Sequence, residues 1–140
     1  MVQHKAEIDV ARRRIVIRYE GPVTVANLFD LLDELIERPE WRPEFARMPV
    51  YDRGIFSTFA PQEMAELVDR ATAYRRKHYV DPSPPVAHVC SDALKKVFVK
   101  HWLAEVGRTE SAHDRLFDTE AEAHAWLDET LGLADAREAP

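Results

Sequence analysis

The hydrophobic period of this chain switches repeatedly, and that narrows the folds open to it. From Ile15 onward, short strand-like runs give way to longer runs whose apolar residues recur at steps of three and four. A period of two marks a half-buried strand, and steps of three and four mark an amphipathic helix. Such pairs in succession stack helices on a mostly parallel sheet. The unit is clearest in Met48-Pro49-Val50-Tyr51-Asp52-Arg53-Gly54-Ile55-Phe56-Ser57-Thr58-Phe59-Ala60-Pro61. Val50 and Tyr51 suit a pleated segment. Gly54 suits a turn where a Cβ would obstruct, and Pro61 suits the first helical position. In α/β folds, ligands often sit where a strand runs into a helix N-terminus.

The remaining segments extend the pattern. Ala6–Val10 and Ile15–Tyr19 alternate, with Ala11-Arg12-Arg13-Arg14 between them as a hairpin link. Gly21-Pro22 ends the second strand, and Thr24 is placed to cap a helix carrying Val25, Leu28, Phe29, Leu32, Leu35 and Ile36. Pro39 stops that helix, and Glu40–Arg47 reads as a linker whose Trp41 and Phe45 pack back. The second helix runs from Pro61 to His78, and Asp81-Pro82-Ser83-Pro84-Pro85 breaks it. Val86–Cys90 is a fourth strand. Ser91 then caps a helix whose inward face carries Ala93, Leu94, Val97, Phe98, His101 and Trp102, closed by Gly107. His113–Phe117 is the fifth strand. Thr119-Glu120-Ala121-Glu122 resembles a capping box, with Asp118 competing, ahead of a helix facing inward through Ala121, Ala125, Trp126 and Leu131.

The reading is therefore α/β: a mostly parallel five-stranded sheet with an antiparallel first strand, and four helices packed mainly on one face. The first link is too short for a crossover. Right-handed crossovers put the helices together and leave the other face partly covered, with Glu7, Asp9, Arg14, Arg18 and Arg53 pointing to it. A single domain spans 1–132, followed by a flexible tail, 133–140.

Composition excludes several classes. The 140 residues suit one domain with a real core. A net charge of −6 does not favour nucleic acid. Cys90 is the one cysteine, so no internal disulfide forms, and a cytoplasmic location is expected. No run approaches a membrane span, and the N-terminus does not resemble a signal peptide. Four scattered glycines exclude a phosphate-binding Gly-rich loop.

Three landmarks carry a family resemblance: Val50-Tyr51-Asp52-Arg53-Gly54, Pro85-Val86-Ala87-His88-Val89-Cys90-Ser91-Asp92, and the terminal run from Arg115 to Leu127. Together they resemble the SpoIIAA-like proteins, which share the fold of STAS domains and are often described as STAS/SEC14-like. The resemblance covers Ala6 to Leu131 in element order. It implies a small sheet-and-helix domain without established catalysis. Such domains mostly bind protein partners, and some carry small or lipidic ligands. One branch is switched by phosphorylation of a serine in an Asp-Ser-Ser-Gly motif. Phe59-Ala60-Pro61-Gln62 stands opposite that motif and keeps neither serine; Ser57 and Thr58 are the nearby hydroxyls.

The chemistry-bearing residues form no strong constellation. His88 and Cys90 share a strand face, but two ligands do not make a zinc site, so no metal is expected. Ser91 follows a strand without the Gly-x-Ser-x-Gly elbow of hydrolases, so capping is its expected role. Asp52 lies at an apolar strand end, either as a buried carboxylate or as an acceptor holding the next loop. The basic runs Arg12-Arg13-Arg14, Arg75-Arg76-Lys77-His78 and Lys95-Lys96 with Lys100 read as solvated surface, with a local patch for an anion or lipid headgroup as the alternative.

The expectation is thus a non-enzymatic binding or regulatory module with no cofactor. It would meet a protein partner, or a second copy of itself, around Asp52, Gly54, Phe56, Ser57, Thr58, Phe59, Ser91 and Lys95. Helix starts there also offer N–H groups to an anionic ligand. The alternative is a carrier of a small apolar or lipid-like ligand, in a pocket lined by residues such as Phe56, Phe59, Met64, Phe98 and Trp102. A partner module would expose Phe56 to Phe59 and hold no sizeable cavity. A third class, an enzyme, would bring Asp52 and His88 together.

Overall fold

The structure is a computed structural model that describes residues 4–56, 60–78, 84–109 and 114–133, with backbone alone at 106–109. The described residues form β1 (Lys5–Asp9), β2 (Arg14–Pro22), α1 (Val25–Ile36), β3 (Ala46–Ile55), α2 (Pro61–His78), β4 (Val86–Val89), α3 (Ala93–Thr109), β5 (Asp114–Phe117) and α4 (Glu120–Thr130). The five strands lie in chain order in one sheet. β1 is antiparallel to β2, and every later pairing is parallel. The expected α/β architecture is present.

Local chemistry sets several boundaries. Thr24 caps α1: its hydroxyl accepts from the Asn27 N–H while the Asn27 side chain returns to the Thr24 N–H, a reciprocal box with an amide in place of the usual Glu. α1 ends at Ile36, before Pro39, and β3 starts at Ala46, inside the expected linker. Phe45 is buried in the core, and Trp41 packs against it. Thr119, not Asp118, caps α4 by accepting from the Glu122 N–H.

Two cores lie on the two sheet faces. Ile15, Ile17, Tyr19 and Tyr51 pack under α1, α2 and α3 through Phe29, Leu32, Leu67 and Val99. Val16, Met48, Val50, Ala87 and Val89 pack under α4 through Ala123 and Leu127. Three right-handed crossovers bring α1–α3 to one side. No described strand follows α4, so no crossover binds it, and it folds over the face that the three leave open. The inward residues of α4 are therefore Ala123, Leu127 and Asp128, whereas Ala121 and Ala125 are exposed.

That face is not a solvated basic patch. Arg14 is 0% exposed, and its Nη2 lies 2.5 Å from Asp128 Oδ1 on α4. Arg12 reaches the other Asp128 oxygen at 3.1 Å, and Arg14 Nη1 lies 2.8 Å from His124 Nδ1. Arg18 grips Glu120 with two hydrogen bonds, at 2.6 and 2.7 Å. A bidentate guanidinium–carboxylate pair is among the stronger charged contacts. Arg53 stays largely exposed beside Glu20.

Candidate functional site

A cavity lies between α1–α3 and the sheet. About 70 Å³ of it is open to the centres of water-sized spheres, and the free space among its lining atoms, counted out to the mouth, is about 670 Å³. One water needs about 10–15 Å³ in the first measure, so this is more than a packing flaw. The walls are largely aromatic: Tyr19, Phe29, Phe56, Tyr74, Phe98 and Trp102. Phe56 and Phe98 stack at 4.7 Å between ring centroids, and Tyr51 lies 5.5 Å from Phe56.

One end of the cavity is polar. Arg47, Tyr51, Arg75 and His88 line it among apolar neighbours. The parallel registers explain why they meet: Arg47 pairs with Val86, and Val86 with Asp114, so even offsets along β3 and β4 bring Tyr51 and His88 onto the same face. Arg75 comes down from the last turn of α2. His88 is 3% exposed. Its Nε2 lies 2.8 Å from Asp114 Oδ2 and its Nδ1 2.7 Å from the Tyr51 hydroxyl. A carboxylate accepts, so Nε2 carries the proton, and Nδ1 accepts from the Tyr51 O–H. Arg75 Nη2 donates to the same Asp114 oxygen at 3.2 Å. Burial pushes the Asp114 carboxyl up. The hydrogen bond from His88 and the positive charges of Arg75 and Arg47 outweigh it and hold the group at about 2. Burial raises the Tyr51 phenol well above its usual range, so it stays protonated.

The expected site at the β3–α2 junction is organised differently. β3 runs through Gly54 to Ile55, so Gly54 is a strand residue and not a turn. Its role is space: a Cβ there would sit 2.8 Å from Phe56 Cε2 and 3.0 Å from Tyr19 Cβ. Arg18 pairs with Val50 but Glu20 with Arg53, so Tyr51 and Asp52 together oppose Tyr19. This bulge turns Tyr51 into the core and frees the Asp52 carboxylate toward the next loop. Asp52 Oδ1 accepts from the Ser91 N–H at 2.8 Å, the Ser91 hydroxyl at 2.9 Å and the Asp92 N–H at 3.1 Å. Lys95 Nζ donates to the Asp52 carbonyl. Asp52, Ser91 and Lys95 thus converge as a pin between strand end and helix start.

Ser91 does not cap α3. Asp92 Oδ1 does, accepting from the N–H groups of Leu94 and Lys95 at 3.0 Å each. The inward face of α3 is Phe98, Val99, Trp102 and Leu103, while Leu94 and Val97 are 84% and 68% exposed. Apolar residues on several sides of this helix left its phase open, and the pin at its first turn sets it.

Phe56 is buried and roofs the cavity, so it is not the exposed anchor expected of it. Ser57, Thr58 and Phe59 lie outside the described residues. Phe56, Phe98 and Trp102 line the cavity as the carrier alternative expected; Met64 packs in the neighbouring core. Asp52 and His88 do not come together: one holds Ser91 and Asp92, the other Tyr51 and Asp114. Cys90 is buried, and burial raises its thiol. Among the described residues no cluster of three or more His, Cys, Asp or Glu stands ready for a metal, and no helix is long and apolar enough to cross a membrane.

Sequence reasoning missed Arg47, Arg75 and Asp114. The available signal was the placing of charged residues at even offsets within apolar strands, with an arginine inside an amphipathic helix. No family model matches this chain, and no curated protein matches it.

Proposed function

We propose that this protein binds a small, mainly apolar molecule in the space between α1–α3 and the sheet, as a carrier or sensor. The observation that carries this is the 70 Å³ cavity walled by aromatic rings from three helices and three strands. Protein interiors normally close such space, and ligand pockets characteristically combine apolar walls with a few polar groups. Binding suits the site better than catalysis. Both ring nitrogens of His88 are engaged, and the Ser91 hydroxyl is spent on Asp52.

A second reading, docking of a second copy or another protein, is favoured by exposed Leu94 and Val97, one turn apart on α3 beside Lys95. Native mass spectrometry of the purified protein tests both. The binding reading expects a small-molecule adduct that organic extraction removes and that Ala71→Phe, filling the cavity, prevents. A doubled mass abolished by Leu94→Glu would favour the second reading. A bare monomer that takes up no apolar probe would overturn the first.

A further inference from the structure

We propose that α4 is a pH-gated cover, loosened from its face of the sheet when His124 takes a proton at Nδ1. Arg14 Nη1 lies 2.8 Å from that nitrogen and 3.4 Å from the His124 carbonyl. A guanidinium only donates, so Nδ1 accepts, and the docked helix holds a neutral imidazole with its proton on Nε2. A proton on Nδ1 removes this acceptor and sets one cation against another. Arg14 is committed where it stands: it is 0% exposed, its Nε donates to the Arg12 carbonyl, and its Nη2 is held by Asp128.

The surrounding charges do not rescue the imidazolium. Its two nearby carboxylates, both on α4, are already gripped: Asp128 by Arg12 and Arg14, and Glu120 by Arg18. On this side of the sheet β1 carries Lys5, Glu7 and Asp9, across from Arg18, Val16 and Arg14. β3 and β4 face α4 with uncharged residues such as Met48, Val50 and Ala87. β5 adds Phe117 with Arg115 over its ring, and Arg53 pairs with Glu20 beyond Arg18. Burial and the charges of Arg12 and Arg14 lower the His124 pKa from the ordinary 6.5, against Asp128 and Glu120. The fold thus favours the neutral ring. That contribution is complete above about pH 6.5 and is lost as pH falls through the lowered value. Among the helices only α4 leads into no described strand, so it can lift without moving the sheet. Acid would then uncover the apolar face beneath it.

Hydrogen–deuterium exchange of the full chain at pH 7 and pH 5, corrected for intrinsic exchange rates, tests this. Asp128 and Glu120, lowered from 3.8 and 4.5, stay ionised across that window. Protection of the α4 amides is expected to fall at least about threefold at pH 5 while that of α1 holds. His124→Asn keeps an acceptor for Arg14 and takes up no proton, so it is expected to abolish the fall. Nitrogen NMR of the wild-type ring supplies a check that needs no variant: an unprotonated Nδ1 at pH 7 and a titration below 6.5 are expected. Unchanged α4 protection, or an equal fall in α1 and α4, would overturn the gate. The same fall in His124→Asn, or a ring titrating at 6.5 or above, would overturn the role of His124.

Discussion

Arg14 shows how far a residue's setting can depart from its sequence context. It sits in a run of three arginines, yet it is wholly buried against Asp128 and His124. Burial lowers its pKa, with the Asp128 carboxylate opposing. The same pair acts on Asp128: burial raises that carboxyl, and the two arginines bring it below its ordinary value. A buried pair is costly to break from one side, because the remaining charge stays desolvated. Asp128→Asn is expected to lower stability by about 3–5 kcal/mol, read from urea midpoints. Replacing both partners, Arg14→Met with Asp128→Leu, should recover most of that loss. A single-site loss within experimental error would show that Arg14 is not held as described.

At the scale of elements, the junction between β3, β4 and α3 is held by one carboxylate. Asp52 gathers two N–H groups and a hydroxyl from Ser91 and Asp92, and Asp92 in turn caps α3. This pin fixes where α3 begins, and so which of its apolar residues turn inward. Asp52→Ala is expected to cost about 1–2 kcal/mol, since hydrogen bonds to a charged acceptor on a partly exposed group are involved. The amides of the first turn of α3 should then exchange faster in hydrogen–deuterium exchange, while those of α1 stay unchanged. Uniform acceleration across both helices would refute a local role. Period and punctuation made the helices legible one at a time. They did not reveal the phase of α3, because Leu94 and Val97 extend its apolar surface beyond one face.

For the whole molecule, the cavity network links stability to pH. The Asp114 carboxyl titrates at about 2 in the fold against an ordinary 3.8. The fold therefore favours the ionised form, and the contribution is complete above about pH 4 and lost as pH falls through 2. Its size is roughly 2 kcal/mol, because each tenfold change in proton affinity is worth about 1.4 kcal/mol. Glu120 and Asp128 are lowered as well and act in the same direction. The wild-type urea midpoint should drop between pH 4 and pH 2, and Asp114→Asn should show a shallower drop over that window. Parallel curves for the two proteins would exclude Asp114 as a contributor.

The sequence by itself determined the order of elements, the antiparallel first strand and the grouping of α1–α3. Hydrophobic period, capping residues and loop length are local properties, and crossover handedness follows from chain chirality. Tertiary structure alone decided that α4 covers the opposite face, that Arg14 of β2 is buried beneath it, and that Arg47, Tyr51, Arg75 and His88 meet at a cavity, with Asp114 bonded to His88 and Arg75. Those five side chains lie on four elements. Their meeting depends on strand register and helix phase, which arise from packing between distant segments and leave no periodic mark along the chain.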